Sequence, residues 1–220
     1  MSYQALARRY RPRFFHQVLG QDPIVTALTH ALQKNKTHHA YLFTGTRGTG
    51  KTSLARLLAK GLNCEALSPE GEPCGECDHC KAVQEGHHPD LIEIDAASRT
   101  KVEDTRDLLA NVPYAPSMGR YKIYLIDEVH MLSSHSFNAL LKTLEEPPAH
   151  VQFLLCTTEL EKLPITVLSR CLQYRLQQVP SALLAKHMSH ILEQEKIATD
   201  DKALLSLAYS AKGSVRDSLS

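Results

Sequence analysis

The sequence predicts an α/β fold in which a parallel sheet of five strands is followed by a small, all-helical domain. Short apolar runs alternate with amphipathic helical patterns over residues 1–178, as in parallel sheets covered by helices on both faces. A glycine-rich loop joins the first run to a helix, which is typical of proteins that bind phosphate groups. From Pro180 onward the pattern is helical only.

The elements follow from the apolar patterns and their boundaries. The predicted strands are 41–44, 91–94, 122–126, 152–156 and 172–176. The predicted helices are 23–33, 51–62, 102–110, 136–145, 181–194, 200–211 and one that begins after Ser214. We therefore expect an α/β domain over residues 1–178 and a helical domain over 179–220. The sequence stops soon after the Ser214 cap, so we expect the helical domain to be truncated.

Residues 45–52 match the phosphate-binding pattern G-x-x-x-x-G-K-[ST]. Glycines allow backbone N–H groups to approach phosphate oxygens, and the positive end of the next helix adds to the attraction. Lys51 is the candidate contact to the β- and γ-phosphates, and the Thr52 hydroxyl is a candidate Mg²⁺ ligand. The predicted nucleotide contacts here are Gly45, Thr46, Arg47, Gly48, Thr49, Gly50, Lys51, Thr52 and Ser53.

Two carboxylates, Asp127 and Glu128, follow the apolar strand 122–126. Such a pair is often a solvated turn, but about 75 residues after a phosphate-binding loop it is typical of the second half of a nucleotide hydrolase site. Asp127 would share the Mg²⁺ shell with Thr52, and Glu128 would act as general base. Thr158, one of two threonines after the next strand, would position the water or contact the γ-phosphate; the alternative is a threonine that caps a turn.

Two arginines are further candidates for catalysis. Arg170 precedes the last predicted strand and could act as an arginine finger. Arg216 lies at the start of the last predicted helix and could sense the γ-phosphate. Taken singly, each would more often be an ordinary surface residue.

Four cysteines, Cys64, Cys74, Cys77 and Cys80, lie in a segment (64–88) that interrupts the α/β pattern. Because cytosolic disulfides are rare, the spacing favours a closed structural zinc site with four thiolate ligands. An iron–sulfur cluster and unligated thiols are the alternatives. We expect His79 to lie beside the cluster or to be exposed rather than to bind the metal. The remaining cysteines, Cys156 and Cys171, are expected to be buried.

The composition argues against a membrane protein and against a protein with a generally basic surface. Hydrophobic residues make up 43%, charged residues 22%, and the net charge is +1, as in ordinary globular proteins without a general basic surface. The sequence shows no apolar run of membrane-span length and no signal-peptide core, so we expect a cytoplasmic protein without membrane contact. Contacts to DNA would then be local. Arg99, Thr100 and Lys101 are candidates, although a capped, solvated helix start would look the same.

Taken in order, these motifs resemble the clamp-loader branch of the AAA+ P-loop NTPases. Residues 169–171 (Ser-Arg-Cys) match the signature of that branch, and residues 213–217 match its helical lid. Residues 6–12 and 15–21 resemble the segment that packs on the adenine. By this resemblance the adenine contacts are Ala7, Tyr10, Arg11, Pro12 and Val18. The cysteine insertion narrows the resemblance to the tau/gamma family of bacterial DNA polymerase III and its close relatives.

The resemblance implies an ATP-hydrolysing motor subunit of the DNA polymerase III clamp loader, which loads the sliding clamp onto primed DNA. The implied cofactors are ATP, Mg²⁺ and a structural Zn²⁺. The implied partners are the delta and delta-prime subunits, further tau/gamma copies, the sliding clamp and primer–template DNA. Arg170 would act in trans on a neighbour's ATP, and Arg216 in cis. No polymerase active site is expected in this chain.

Two other functions compete with this interpretation. A branch-migration-type AAA+ helicase motor would share the loop, the carboxylates and the threonines, but it would lack the Ser-Arg-Cys signature and the cysteine insertion. A clamp-loader scaffold would bind ATP without hydrolysing it. The intact Lys51, Thr52, Asp127 and Glu128 argue against a scaffold.

Overall fold

A computed structural model describes residues 5–98 and 111–220 of the chain. The predicted helix 102–110 and the candidate DNA contacts Arg99, Thr100 and Lys101 lie outside these residues. None of the helices in residues 5–98 and 111–220 has both the length and the hydropathy of a membrane-spanning segment.

The centre of the fold is a five-stranded parallel sheet, as predicted. Its strands are β1 Ala40–Thr44, β2 Leu91–Asp95, β3 Lys122–Asp127, β4 Val151–Thr157 and β5 Leu172–Arg175, in the spatial order β2-β3-β4-β1-β5. The last residues of β1 and β4 lie side by side, because Thr44 pairs with Thr157. The carboxyl ends of β3, β4 and β1 therefore meet at one edge, where open α/β sheets bind their ligands.

Both faces of the sheet are covered. Every residue of β1 and β4 is buried, which explains why these strands are almost continuously apolar. Leu42 and Phe153 point into one core cluster, whereas Tyr41 and Leu154 point into the other. Cys156 is fully buried, as predicted, but Cys171 is only partly buried against the core. The prediction that Cys171 is buried was thus too strong, since Cys171 directly precedes β5, which is an edge strand of the sheet.

In the described residues the helices occupy the intervals that the sequence predicts, with three additions: the short helices Leu6–Arg9, Asp78–Glu85 and Ile165–Leu168. They are α1 Leu6–Arg9, α2 Asp22–Gln33, α3 Lys51–Leu62, α4 Asp78–Glu85, α5 Ser134–Glu145, α6 Ile165–Leu168, α7 Ser181–Gln194, α8 Asp201–Ser210 and α9 Val215–Ser218. Short 3₁₀ turns span Phe15–Gln17, Val129–Met131 and Leu160–Lys162. The sequence did not predict α4, which lies inside the cysteine-rich segment.

The last three helices pack around a small core of their own. Val179, Leu184, Met188, Leu204 and Ala208 form its centre. Ser214 caps α9 by accepting a hydrogen bond from the Asp217 N–H at 3.1 Å. The domain boundary at residue 178 stays a prediction.

Candidate nucleotide site and cysteine cluster

A cavity of about 490 Å³ opens at the carboxyl edge of the sheet, between the glycine-rich loop, the N-terminal segment and the last helices. Most predicted site residues line it: Arg47, Gly48, Thr49, Gly50, Lys51, Thr52, Ser53, Asp127, Glu128, Arg216, Ala7, Tyr10, Arg11, Pro12 and Val18. Four predicted residues do not line it: Gly45, Thr46, Thr158 and Arg170. The cavity thus combines the loop, the carboxylates and the lid arginine.

Gly45 and Lys51 shape the loop from within. Gly45 has φ +143°, and a Cβ there would lie 2.9 Å from the Leu176 carbonyl oxygen, so only glycine fits. The Lys51 ammonium donates to the carbonyl oxygens of Gly45 at 2.9 Å and Thr46 at 3.0 Å. Burial lowers the pKa of Lys51, and the nearby Glu128 opposes that shift. Thr46 therefore contributes a carbonyl oxygen that holds the lysine.

Thr52 and Asp127 meet across the cavity as the Mg²⁺ prediction requires. The Thr52 hydroxyl donates to Asp127 Oδ2 at 2.7 Å, which joins the start of α3 to the end of β3. Hydroxyl and carboxylate oxygens are the ligands that Mg²⁺ prefers, and it usually takes only one or two carboxylates from the protein. The donor set therefore fits a magnesium ion.

Glu128 is held in an unusual backbone conformation. Its φ is +48°, in the left-handed region that costs non-glycine residues about 1–2 kcal/mol. The Thr158 N–H and hydroxyl both donate to Glu128 Oε2, at 3.1 and 2.9 Å. Among the described residues, none donates a hydrogen bond to Oε1. Thr158 thus contacts the carboxylate rather than the cavity, and it leaves one oxygen free to accept a proton.

Sequence reasoning missed His130, which lies behind Glu128. Its side chain is 5% exposed, and its Nδ1 is 2.9 Å from Thr157 Oγ1 and 3.4 Å from Glu128 Oε2. Its Nε2 lies 3.1 Å from Glu159 Oε1. The available signal was its position two residues after Glu128. His187, which lines the cavity from α7, was also missed, because no motif surrounds it.

The N-terminal segment is attached to the helical domain. The Arg9 guanidinium pairs with Glu195 at 2.9 Å, and the Tyr10 hydroxyl donates to the same carboxylate. That hydrogen bond raises the pKa of Tyr10. The predicted adenine-binding segment is thereby linked to the end of α7.

The helical domain also contacts the glycine-rich loop directly. The N–H groups of Val215 and Arg216 donate to the Gly48 carbonyl oxygen at 3.0 and 3.4 Å. This contact brings Arg216 to the cavity, as a cis-acting sensor requires. Arg170 is placed differently: its guanidinium lies on the surface, paired with Glu145 at 2.8 Å. It does not line the nucleotide cavity of its own chain.

The four predicted ligand cysteines form a cluster. All four sulfur atoms lie within 4.8 Å of one another, and Cys74 Sγ and Cys80 Sγ are 3.8 Å apart. Two ligands at tetrahedral angles around zinc are about 3.8 Å apart for Zn–S bonds of about 2.3 Å. The backbone N–H of Cys77 donates to Cys74 Sγ. Burial opposes the Cys74 thiolate, but the N–H groups of Cys77 and Glu76 lower its pKa to about 6.

His79 lies beside this cluster rather than in it. It is buried, and its Nδ1 is 2.9 Å from His88 Nε2. In the part of the chain that the structure describes, the candidate metal group consists of the four cysteines. The residues therefore fit a closed tetrahedral metal site.

Comparison with known proteins decides the family. Residues 20–180 match the family described as "DNA polymerase III, delta subunit", and residues 183–220 match "DNA polymerase III clamp loader subunit, ATPase lid domain". The full chain is 63% identical to DNA polymerase III subunit tau/gamma of Haemophilus influenzae, covering 32% of it, and 62% identical to subunit tau of Escherichia coli, covering 34%.

The chain belongs to the DNA polymerase III tau/gamma family. It spans about a third of the length of these relatives.

Solved structures extend the comparison to the fold. The Holliday junction branch migration motor RuvB of Thermotoga maritima is 18% identical, with a TM-score of 0.68, over 96% of this chain and 63% of that one. This likeness confirms the AAA+ P-loop fold with its helical lid. It does not favour the branch-migration alternative, because the tau/gamma relatives share more than three times as many identical residues over the same length.

Proposed function

We propose that the chain is the ATP-hydrolysing module of a clamp-loader subunit. The observation that carries the proposal is the cavity in which Lys51, Thr52, Asp127, Glu128 and Arg216 converge. A phosphate chain on the loop would lie against the start of α3, whose N–H groups and dipole favour anions. The chain spans about a third of the length of these relatives. The wider role, which is loading the sliding clamp onto primed DNA, is therefore part of the same proposal.

The chemistry follows from the geometry around Glu128. Its Oε1 would accept a proton from the attacking water while Thr158 and His130 hold Oε2 in place. Lys51 would exchange its loop carbonyl partners for phosphate oxygens. Arg216 would stabilise charge on the γ-phosphate from the lid. Thr52 and Asp127 would hold a Mg²⁺ ion, which would neutralise part of the negative charge on the phosphates.

The proposal extends to partners that complete the site. Arg170 is kept on the surface by Glu145, so we propose that it acts on the nucleotide of a neighbouring subunit. The proposed neighbours are further tau/gamma copies with delta and delta-prime, and the proposed targets are the sliding clamp and primer–template DNA. We also propose that the cysteine cluster holds a structural zinc and that the protein works in the cytoplasm.

Glu128→Gln tests the hydrolytic role in a loader assembled with its other subunits, clamp and primed DNA. Loss of a general base lowers turnover by about 10²–10⁴-fold, and ATP affinity should stay within about threefold. Glu161→Gln, the same change at an exposed carboxylate, is the matched control. Turnover in Glu128→Gln equal to that of the control would contradict the base assignment. ATP binding without turnover in the wild type would favour the scaffold alternative.

Arg170→Ala separates action in trans from action in cis. The variant should bind ATP normally as an isolated chain, because Arg170 does not line the cavity of its own chain. In the assembled loader its ATPase rate should fall by about 10³-fold or more, the range of an arginine finger. An unchanged rate in the assembly would refute the role in trans.

A further inference from the structure

A second cavity, of about 460 Å³, adjoins the nucleotide cavity behind the N-terminal segment. The two cavities share the wall formed by Arg8, Arg11, Pro12 and Ser53. The rest of the second lining comes from Arg9 and Arg13 of the N-terminal segment, from later turns of α3 and from the end of α4. The cationic side chains that line it are Arg8, Arg9, Arg11, Arg13, Arg56 and Lys60, and Glu85 is the carboxylate among the lining residues.

Most of this positive charge has no protein counter-charge. Arg9 pairs with Glu195, and Arg56 pairs with Glu93. Across residues 5–98 and 111–220, the guanidinium groups of Arg8, Arg11 and Arg13 form no ion pair with a carboxylate. The cavity is therefore strongly electropositive, although the whole chain carries a net charge of only +1.

Two of the cations are shielded from water to different degrees, because Lys60 is buried and Arg11 is partly buried. Lys60 is 3% exposed, donates to the Arg13 carbonyl oxygen at 2.9 Å and lies 4.7 Å from the centre of the Phe14 ring. Burial lowers the pKa of Arg11, the nearby Arg56 lowers it further, and Glu93 opposes the shift. Like charges held close together repel one another, and an anion bound among them would relieve that repulsion.

We propose that this second cavity binds a compact polyphosphate chain, either inorganic or the phosphate tail of a nucleoside polyphosphate. Guanidinium groups present forked donors that match phosphate oxygens, and several around one cavity can engage successive phosphates. The volume lies within the range of small-ligand sites, about 300–1,000 Å³. Of the apolar residues in the lining, Leu57 and Val83 are almost fully buried and Pro12 is partly buried, so little apolar surface is available for stacking a base.

Calorimetric titration with inorganic tripolyphosphate in Mg²⁺-free buffer tests the proposal. The wild-type chain should bind two molecules, one on the glycine-rich loop and one in the second cavity. Lys51→Ala should lose the first site and keep the second. Arg13→Glu should keep the first and weaken the second by about tenfold or more, which corresponds to about 1.4 kcal/mol.

Arg120→Glu is the matched control, since it reverses the charge of another exposed arginine outside both cavities. Equal weakening by Arg13→Glu and Arg120→Glu would overturn the proposal, because it would reveal only general attraction to a positive surface. Binding of a single tripolyphosphate by the wild type would also overturn the proposal. If the wild type bound oligothymidine tightly but had no second tripolyphosphate site, the cavity would be a nucleic-acid site instead.

The two sources of the ligand are distinguished in the Lys51→Ala background. Equal affinity for tripolyphosphate and for GTP, each sensitive to Arg13→Glu, supports a site for the phosphate chain alone. Tighter binding of GTP supports a nucleoside polyphosphate. In either case circular dichroism of Arg13→Glu should match the wild type, since no carboxylate of the described residues pairs with the Arg13 side chain.

Discussion

Replacing Gly48 with alanine is expected to push the helical lid away from the phosphate-binding loop. Gly48 has φ +78°, and a Cβ at this position would lie 1.9 Å from Ser214 Oγ, 3.0 Å from Ser214 Cβ and 3.2 Å from Arg216 Cβ. Rotation of the serine hydroxyl relieves only the first contact. The other two atoms are fixed by the backbone of the lid, so the lid itself must move.

Gly86 is a matched control for the loss of stability that Gly48→Ala causes. Gly86 has φ +80° and no atom within 4 Å of an added Cβ, so Gly86→Ala carries backbone strain alone, about 1–2 kcal/mol. Gly48→Ala adds the loss of the Ser214 cap, about 1 kcal/mol, and a further overpacking cost of about 1–3 kcal/mol. The excess of Gly48→Ala over Gly86→Ala is therefore at least about 2 kcal/mol.

Amide hydrogen exchange measures this excess where it acts. The Val215 N–H donates to the Gly48 carbonyl oxygen, so its exchange reports the opening of the lid. An excess of about 2–3 kcal/mol should speed Val215 exchange by about 30–150-fold in Gly48→Ala and leave it unchanged in Gly86→Ala. Ser214→Ala in the Gly48→Ala background should recover little of the protection, because the contacts with the Cβ atoms of residues 214 and 216 remain. Wild-type exchange at Val215 in Gly48→Ala would refute the steric argument.

Two further predictions concern stability. Cys74→Ser should lower the zinc content from one ion per chain to nearly none and lower the melting temperature, because structural zinc contributes directly to folding. Cys171→Ser, which lies outside the cluster, should keep the zinc. An equal zinc content in both variants would contradict the proposed site. Asp90→Ala should cost about 2–4 kcal/mol, because its carboxylate accepts the N–H groups of Ser117, Met118 and Gly119. Burial raises the pKa of Asp90, but these donors outweigh it and lower the pKa overall. The stabilisation by Asp90 is therefore complete above the unfolded pKa of about 3.9 and is lost as pH falls through the lower folded pKa. In urea titrations, the free energy of unfolding should differ less between pH 7 and pH 3 for Asp90→Ala than for the wild type.

The sheet and the lid could be predicted because their sequence signals are local. Strand 122–126 was placed within one residue of Lys122–Asp127, since the apolar run ends where the carboxylates begin. The helix Ser181–Gln194 was predicted at its observed bounds, because Pro180 marks its start. The glycine-rich loop could also be predicted from the sequence, since its glycines and lysine occur at fixed spacing.

Other features depend on contacts that no local pattern encodes. Helix Asp78–Glu85 was missed because it is short and polar; the residue before it, Cys77, is held by the sulfur cluster. Thr158 was predicted near the phosphate, but only the folded chain brings it onto Glu128, 30 residues earlier. His130 was missed for the same reason, because its partners Thr157 and Glu159 come from the end of another strand.

The contacts around the nucleotide cavity explain how binding could move the whole lid. The Gly48 carbonyl holds α9, and Glu195 at the end of α7 holds the N-terminal segment through Arg9 and Tyr10. A nucleotide that draws Lys51 from its two loop carbonyls must change the loop that carries Gly48. Since the lid and the N-terminal segment are joined to each other, they must respond together rather than one by one. The Val215 amide should therefore report on the side of the cavity formed by the N-terminal segment as well as on the side formed by the glycine-rich loop.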